Sequence, residues 1–287
     1  MPSLEGTVAV VTGASRGAGR GIALVLGERG ATVYVTGRST RAEPNPDRPG
    51  TIEDTADEVR ARGGNGIAMR VDHTEPAEVA TLIERIANEH GRLDVLVANA
   101  WMGYEIRVLR IPFWEAPLEH WDLMFDSLRG QMLTVQLAVP LMRKQDRGLI
   151  VNTLWDVGSH FHGHVFYDTV KNAVSRMSFG MAEQLREHGV AVVALSPGWM
   201  HTETMDLSPE QAAQTESTEY VGRAAAALAE DRDVIRWSGR TLRVVDVARE
   251  YGFTDVDGEV LSPFWEKYLA AGGTPPDSSG RRFGEQA

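Results

Sequence analysis

The chain has 287 residues, 43% of them hydrophobic, which is enough to bury one large core. Its formal net charge is −11, with scattered arginine and scarce lysine; this excludes an extended nucleic-acid surface but leaves room for a local basic spot that holds one phosphate. The absence of cysteine excludes disulfides and thiolate metal sites.

Met1-Pro2-Ser3-Leu4-Glu5-Gly6 shows no basic-then-apolar leader, and no stretch approaches ~20 uncharged apolar residues, so a soluble cytoplasmic protein without a membrane span is expected. Residues 7–12 (TVAVVT) predict a first strand, followed by a glycine-rich turn and a helix over 19–29. A strand at 31–36, a helix at 51–62, a strand at 66–71, a helix at 75–90 and a strand at 93–98 come next. A long helical stretch over 117–144 leads to a strand at 149–154, a helix at 165–188 and a strand at 190–196. A helix at 217–230 and a strand at 241–245 complete the pattern.

Near-continuous apolar strands alternating with helices imply right-handed βαβ units and a parallel sheet covered on both faces. The expected fold is a doubly wound, seven-stranded α/β sandwich of three layers, Rossmann-type. One domain is expected over 1–271, with an insertion at 101–120 that serves a substrate. Residues 41–50 (RAEPNPDRPG) read as an extended surface loop. The polar tail 272–287 reads as a flexible end, or as an arm that orders against another subunit.

Strand one runs into Thr12-Gly13-Ala14-Ser15-Arg16-Gly17-Ala18-Gly19-Arg20-Gly21. Glycines at a strand-to-helix turn admit positive φ and let backbone N–H groups approach a pyrophosphate; the helix N-terminus adds partial positive charge. The spacing is Gly-x-x-x-Gly-x-Gly, and the Gly-Lys-Ser/Thr of a P-loop is missing. In a first βαβ unit this points to a dinucleotide cofactor, with Gly13, Ser15, Gly17, Ala18 and Gly19 as the cradle. NAD sites usually carry an acid at the end of strand two, whereas this chain has Thr36-Gly37-Arg38-Ser39. Arg38, Ser39 and Arg16 can face a 2′-phosphate, so NADP(H) is expected, with NAD(H) as the alternative. The two arginines also admit a plainer reading as surface charge.

Of six tyrosines, only Tyr167 has a lysine four residues on, in Tyr167-Asp168-Thr169-Val170-Lys171. On a helix these two side chains share a face. A free tyrosine, with a pKa of about 10, is a poor base; a neighbouring cation brings it toward a working range. The same spacing also describes a solvated helix face, but here it follows strand five, where strand C-termini assemble a site.

The glycine turn and this pair together resemble the short-chain dehydrogenase/reductase family, over about residues 6–258. The likeness is closest to the branch called dehydrogenase/reductase member one, through 13–23, 92–100, 113–115, 128–130 and 246–258. It implies that Asp72, with His73 beside it, meets the adenine. It implies that Asn99 stabilises the sheet near the cofactor and that Pro197, Gly198 and Thr202 hold the nicotinamide. Tyr167 becomes the proton donor or acceptor, and Lys171 the residue that binds the nicotinamide ribose and tunes the tyrosine. A homodimer or homotetramer packed through the helices flanking strands four and five is also implied.

Two members of the family's catalytic set are changed. The strand-five serine is missing, and Trp155 stands twelve residues before Tyr167. Its indole N–H can donate one hydrogen bond, whereas an ionised Asp156 can only accept. Ser159 would substitute if its loop folds back. Losing a preorganised donor costs roughly 10²–10³ in rate. The helix-four asparagine aligns with Ser127, which can still hold a relay water.

Trp101, Trp155 and Trp199 fall just after strands four, five and six, where open α/β sheets bind ligands. They suggest a flat apolar or aromatic substrate held by stacking; the alternative is that they cap the core or a subunit interface. Met102, Phe161 and Met200 lie beside them in sequence, and Trp114 and His120 are expected to cover the site. His160, His162 and His164 alternate before Tyr167, but no carboxylate completes a metal set, so no metal is expected. The sum is an NADP(H)-dependent oxidoreductase for a carbonyl/alcohol pair, with neither nucleic acid nor membrane as partner. The alternatives are a non-redox enzyme and a weakly active cofactor-binding protein on the same fold.

Overall fold

The computed structural model describes residues 3–102, 111–145, 147–155 and 164–262. Seven strands form one sheet: β1 (Val8–Val11), β2 (Thr32–Gly37), β3 (Asn65–Arg70), β4 (Val95–Ala98), β5 (Gly148–Thr153), β6 (Val190–Ser196) and β7 (Thr241–Arg243). Their order is β3-β2-β1-β4-β5-β6-β7, every neighbouring pair parallel. The helices are α1 (Gly17–Glu28), α2 (Ile52–Ala61), α3 (Pro76–His90), α4 (Leu118–Met142), α5 (Val165–Leu185), the short α6 (Pro209–Ala212), α7 (Thr218–Glu230) and α8 (Val244–Tyr251).

Side chains alternate along each strand, and the burial follows. Ala9 and Val11 pack with α1, α2, α7 and α8 on one face, while Val8 and Val10 pack with α3, α4 and α5 on the other. The strand order reverses between β1 and β4, so a crevice opens beyond their C-terminal ends, the usual ligand position in such sheets.

Local chemistry sets most boundaries. The Thr51 hydroxyl accepts from Asp54 N–H at the start of α2, and Ser217 does the same for Tyr220 N–H at α7. Pro76 opens α3 and left-handed Gly91 closes it. The Arg16 side chain gives α1 no such cap, and its first turn carries no acid. The strand expected at 241–245 stops at Arg243. Val244, Val245, Val247 and Ala248 are buried as one face of α8 instead, a helical spacing that a run of β-branched residues disguises as a strand.

Helices α1 and α7 cross with their backbones in contact. A Cβ added at Gly21 would lie 1.9 Å from the Thr218 carbonyl oxygen, and one at Gly222 would lie 2.6 Å from the Gly21 oxygen. Alanine is the better helix former by roughly 1 kcal/mol, so propensity and packing oppose each other here. Packing is expected to win: Gly21→Ala should destabilise the protein by about 1–3 kcal/mol, read as a lower urea midpoint at unchanged slope. An unchanged or higher midpoint would contradict the backbone-to-backbone crossing.

Candidate active site

Three strand ends are stitched together at the crevice. The Thr12 hydroxyl, just beyond β1, accepts the N–H groups of Asn99 and Ala100, each at 2.8 Å. The Asn99 amide donates to the Thr12 and Gly13 carbonyls at 3.0 and 3.3 Å. Its oxygen accepts from the Thr153 hydroxyl at 3.1 Å, which brings in β5. The turn after β4 therefore presses on the glycine turn. A Cβ on Gly13 (φ 63°) would meet the Ala100 Cα at 2.8 Å, and one on Gly19 would meet the Gly13 oxygen at 2.4 Å. Thr153, to which the sequence assigned no part, belongs to this joint.

Above the joint lies a cavity of about 380 Å³. Its lining gathers most of the residues expected to hold a cofactor: Gly13, Ser15, Arg16, Gly17 and Ala18 from the turn, Arg38 and Ser39 after β2, Asp72 and His73 after β3, Asn99, and Thr202. Trp101 and Ser127 line it too. Glu43, Arg48 and Glu203 also line it, and sequence reasoning passed them over.

The segment 41–50 is folded back against the glycine turn, and Arg16 holds it there. Arg16 donates from Nε to the Pro49 carbonyl at 2.8 Å. Its Nη2 donates to the Ser39 hydroxyl and to the Arg48 and Gly50 carbonyls at 3.0–3.1 Å. A planar fork with five donors suits such a cluster of oxygens. The clamp sets Arg48 in the cavity wall together with Arg38. The Arg38 guanidinium stands 3.9 Å from an Asp72 oxygen.

Burial raises the Asp72 pKa, but hydrogen bonds from the Thr74 backbone and hydroxyl, with Arg38 nearby, outweigh it and hold the carboxyl below its usual value. His73 is buried between the hydroxyls of Thr36 (2.8 Å) and Thr134 (2.9 Å), tying β2 to α4. Burial pushes its pKa down to about 4, so the imidazole stays neutral at physiological pH.

Helix α5 starts where the His164 Nδ1 accepts from the Tyr167 N–H at 3.3 Å, a cap that needs a deprotonated nitrogen. Burial, and then His120, keep the His164 pKa below its ordinary value and preserve that state. Lys171, one turn past Tyr167, is buried. Its Nζ rests 3.7 Å from the centre of the Trp101 ring and 5.3 Å from that of Tyr167. Trp101 and Trp155 each meet the Tyr167 ring edge-on, with centroids 5.8 and 6.5 Å away. Burial alone pushes the Lys171 pKa from 10.5 down to about 7.

Several expected residues serve other contacts in the structure. The Ser127 hydroxyl donates to the Leu123 carbonyl and accepts from Met102 N–H at 2.9 Å, anchoring the chain as it leaves β4. The Gly198 N–H donates to the buried Glu216 carboxylate at 2.8 Å, and Glu216 also pairs its backbone with Trp199 and His201. That carboxylate shapes the turn 197–202, and no local pattern announced it. Gly19, Trp155, Tyr167, Lys171, Pro197, Gly198 and Trp199 are not among the residues lining the cavity, while Trp101 and Trp155 flank Tyr167. Trp114, expected to cover the site, is 73% exposed, with Phe113 edge-on to it. Asp156, Ser159, His160, Phe161 and His162, residues 103–110 of the insertion, and the tail 272–287 lie outside the described residues.

The buried ammonium has a measurable cost. In the unfolded chain Lys171 holds its proton up to about pH 10.4; in the folded protein it does so only to about 7. Between these values the unfolded state binds the extra proton, so this group lets stability rise with pH, and its penalty is complete below 7. Lys171→Met should therefore stabilise the protein at pH 7 by on the order of a few kcal/mol. The difference from wild type should shrink toward pH 10; a pH-independent difference in parallel urea titrations would contradict the assignment.

Residues 7–213 match the protein family described as short chain dehydrogenase. The chain is 36% identical to dehydrogenase/reductase SDR family member 1 of Mus musculus, over 91% of this chain and 87% of that protein. It resembles the crystal structure of a short chain dehydrogenase homologue from Mycobacterium thermoresistibile with a TM-score of 0.77 and 26% identity, over 90% of this chain and 92% of that one. A short-chain type dehydrogenase/reductase from Mycobacterium marinum gives 0.70 and 27%, over 84% and 94%.

Proposed function

Since the chain belongs to the short-chain dehydrogenase/reductase family of oxidoreductases, we propose that it interconverts the carbonyl and alcohol forms of a small apolar or aromatic molecule with NADP(H). The observation that carries this reading is the meeting of Tyr167, Lys171, Trp101 and Trp155 beside the glycine-turn cavity.

The residues present fit a dinucleotide. The helix N-terminus lacks a cap from its own side chains, and the glycine turn leaves no room for a Cβ at Gly13. Asp72 stands ready for the adenosine end. Support for NADP(H) over NAD(H) comes from Arg38, Arg48 and Ser39 in the cavity wall, where an acid would repel a 2′-phosphate. When bound, the nicotinamide supplies or takes up the hydride.

The protein's own part is proton handling and placement. The Tyr167 hydroxyl passes a proton to the substrate oxygen in reduction and takes it back in oxidation. Lys171, when protonated, favours the phenolate by its charge, and the His164 cap fixes where the helix presents the tyrosine. Trp155, in place of a serine, offers an indole N–H to the substrate oxygen and an aromatic wall to its body. Exposed Val165 and Phe179 on α5 and Met132 on α4 support a homodimer or homotetramer. No helix among the described residues is long and apolar enough to cross a membrane, and the proposal places the enzyme in the cytoplasm. The missing serine supports a second reading, cofactor binding with little or no turnover.

Purified protein is expected to bind NADPH more tightly than NADH, and Arg38→Ala to lose about tenfold of that preference. Against a panel of aromatic and polycyclic ketones and aldehydes, Tyr167→Phe should lower kcat roughly 10²–10⁴-fold with NADPH affinity kept. A Tyr167→Phe enzyme turning over at the wild-type rate would refute the proton-transfer role. NADPH binding without consumption across the panel would favour the second reading.

A further inference from the structure

Helix α1 lacks a side-chain cap of its own, yet its first amide is not bare. The Gly17 N–H donates to the Glu203 carboxylate at 2.9 Å, from a residue 186 positions later in the chain. Glu203 follows β6 in a short turn, where the Met205 N–H donates to the Thr202 carbonyl at 3.0 Å. Its side chain lies in the wall of the same cavity as Ser15, Gly17 and Ala18. The second carboxylate oxygen is 4.0 Å from an Arg20 guanidinium nitrogen, and the side chain remains 31% exposed.

A helix N-terminus attracts one anion at its open amides. In this protein the anion is the chain's own carboxylate. A dinucleotide whose pyrophosphate docks on α1 needs that amide, and it brings negative charge against Glu203. One N–H does not serve both, and like charges at such a distance repel.

We propose that Glu203 is an internal competitor for the pyrophosphate seat, holding the α1 N-terminus in the free protein and withdrawing toward Arg20 and solvent when a dinucleotide docks. It thereby sets the affinity and the release rate of the cofactor. This rests on the reading of the glycine turn as a dinucleotide cradle. Arg20, which also pairs with Glu58, stands close enough to give the displaced carboxylate a second partner. The contact with Gly17 N–H is a single charge-assisted, partly buried hydrogen bond, strong enough to matter and weak enough to yield.

The test compares full-length wild type, Glu203→Gln and Glu203→Ala by equilibrium binding and stopped-flow dissociation of NADPH. Adenosine 2′-monophosphate, which lacks a pyrophosphate, serves as the control ligand. Glu203→Ala is expected to bind NADPH about tenfold more tightly and to release it correspondingly more slowly. Glu203→Gln, which keeps the shape and a neutral acceptor, should show a smaller gain in the same direction. Affinity for adenosine 2′-monophosphate should not change. NADPH affinity that is unchanged or weaker in both variants overturns the role of Glu203 while leaving the cradle intact. Equal tightening of the control ligand also overturns it, since the effect would then be general charge. If none of the three proteins binds NADPH or NADH, the cradle reading itself fails and the Glu203 assignment falls with it.

Discussion

Lys171 brings an ammonium into the protein interior and, among the described residues, meets no carboxylate there. What it meets is the face of Trp101 at 3.7 Å and the ring of Tyr167 at 5.3 Å. A π face partly replaces lost hydration, but not enough to keep the ordinary lysine pKa, which falls to about 7. A charge stranded in this way destabilises the fold and rewards any ligand that brings oxygen atoms to it. Helix α5 places Lys171 one turn behind Tyr167 on the same face. Trp155 meets the same tyrosine ring edge-on, with centroids 6.5 Å apart.

Trp101, the ring that Lys171 rests on, leaves the sheet from the joint between β1 and β4. Asn99 joins the ends of β1, β4 and β5 through Thr12, Gly13 and Thr153. Trp101 lies two residues beyond that joint, and Ser127 fixes the next residue, Met102, by its backbone N–H. Acidic groups then shape the loops around the cavity. Glu216 holds the turn after β6, Glu203 caps α1, and Asp72 stands near Arg38. A chain with a net charge of −11 thus spends several carboxylates on backbone amides at its site and keeps Arg38 and Arg48 in the cavity wall.

The sheet was legible because β1, β4, β5 and β6 are near-continuous apolar runs, and the turn after β1 announced the crevice. Valines at 244, 245 and 247 misled, since β-branching favours strands while their spacing serves a helix. Arg16 was read as facing a phosphate; its side chain donates to three carbonyls of a loop more than thirty residues away, and it is that loop which brings Arg48 to the cavity. Glu203 and Glu216 could not be read at all. Each acts on a backbone N–H that only the folded chain brings near, and an isolated glutamate in a loop carries no signal. The tryptophans were read correctly as lying beyond strand ends, but proximity to Tyr167 separates Trp101 and Trp155 from Trp199, and that depends on how each turn is held.

The central claim, that Lys171 is buried with no carboxylate partner among the described residues, is open to direct measurement because the chain has only three lysines, at 144, 171 and 267. Protein labelled with carbon-13 at the lysine ε position gives three signals to follow by NMR from pH 6 to 11, with Lys171→Met identifying one of them. The account predicts that the Lys171 signal titrates near 7 in the ligand-free protein. A Lys171 signal titrating near the ordinary lysine value of about 10.4 would contradict it.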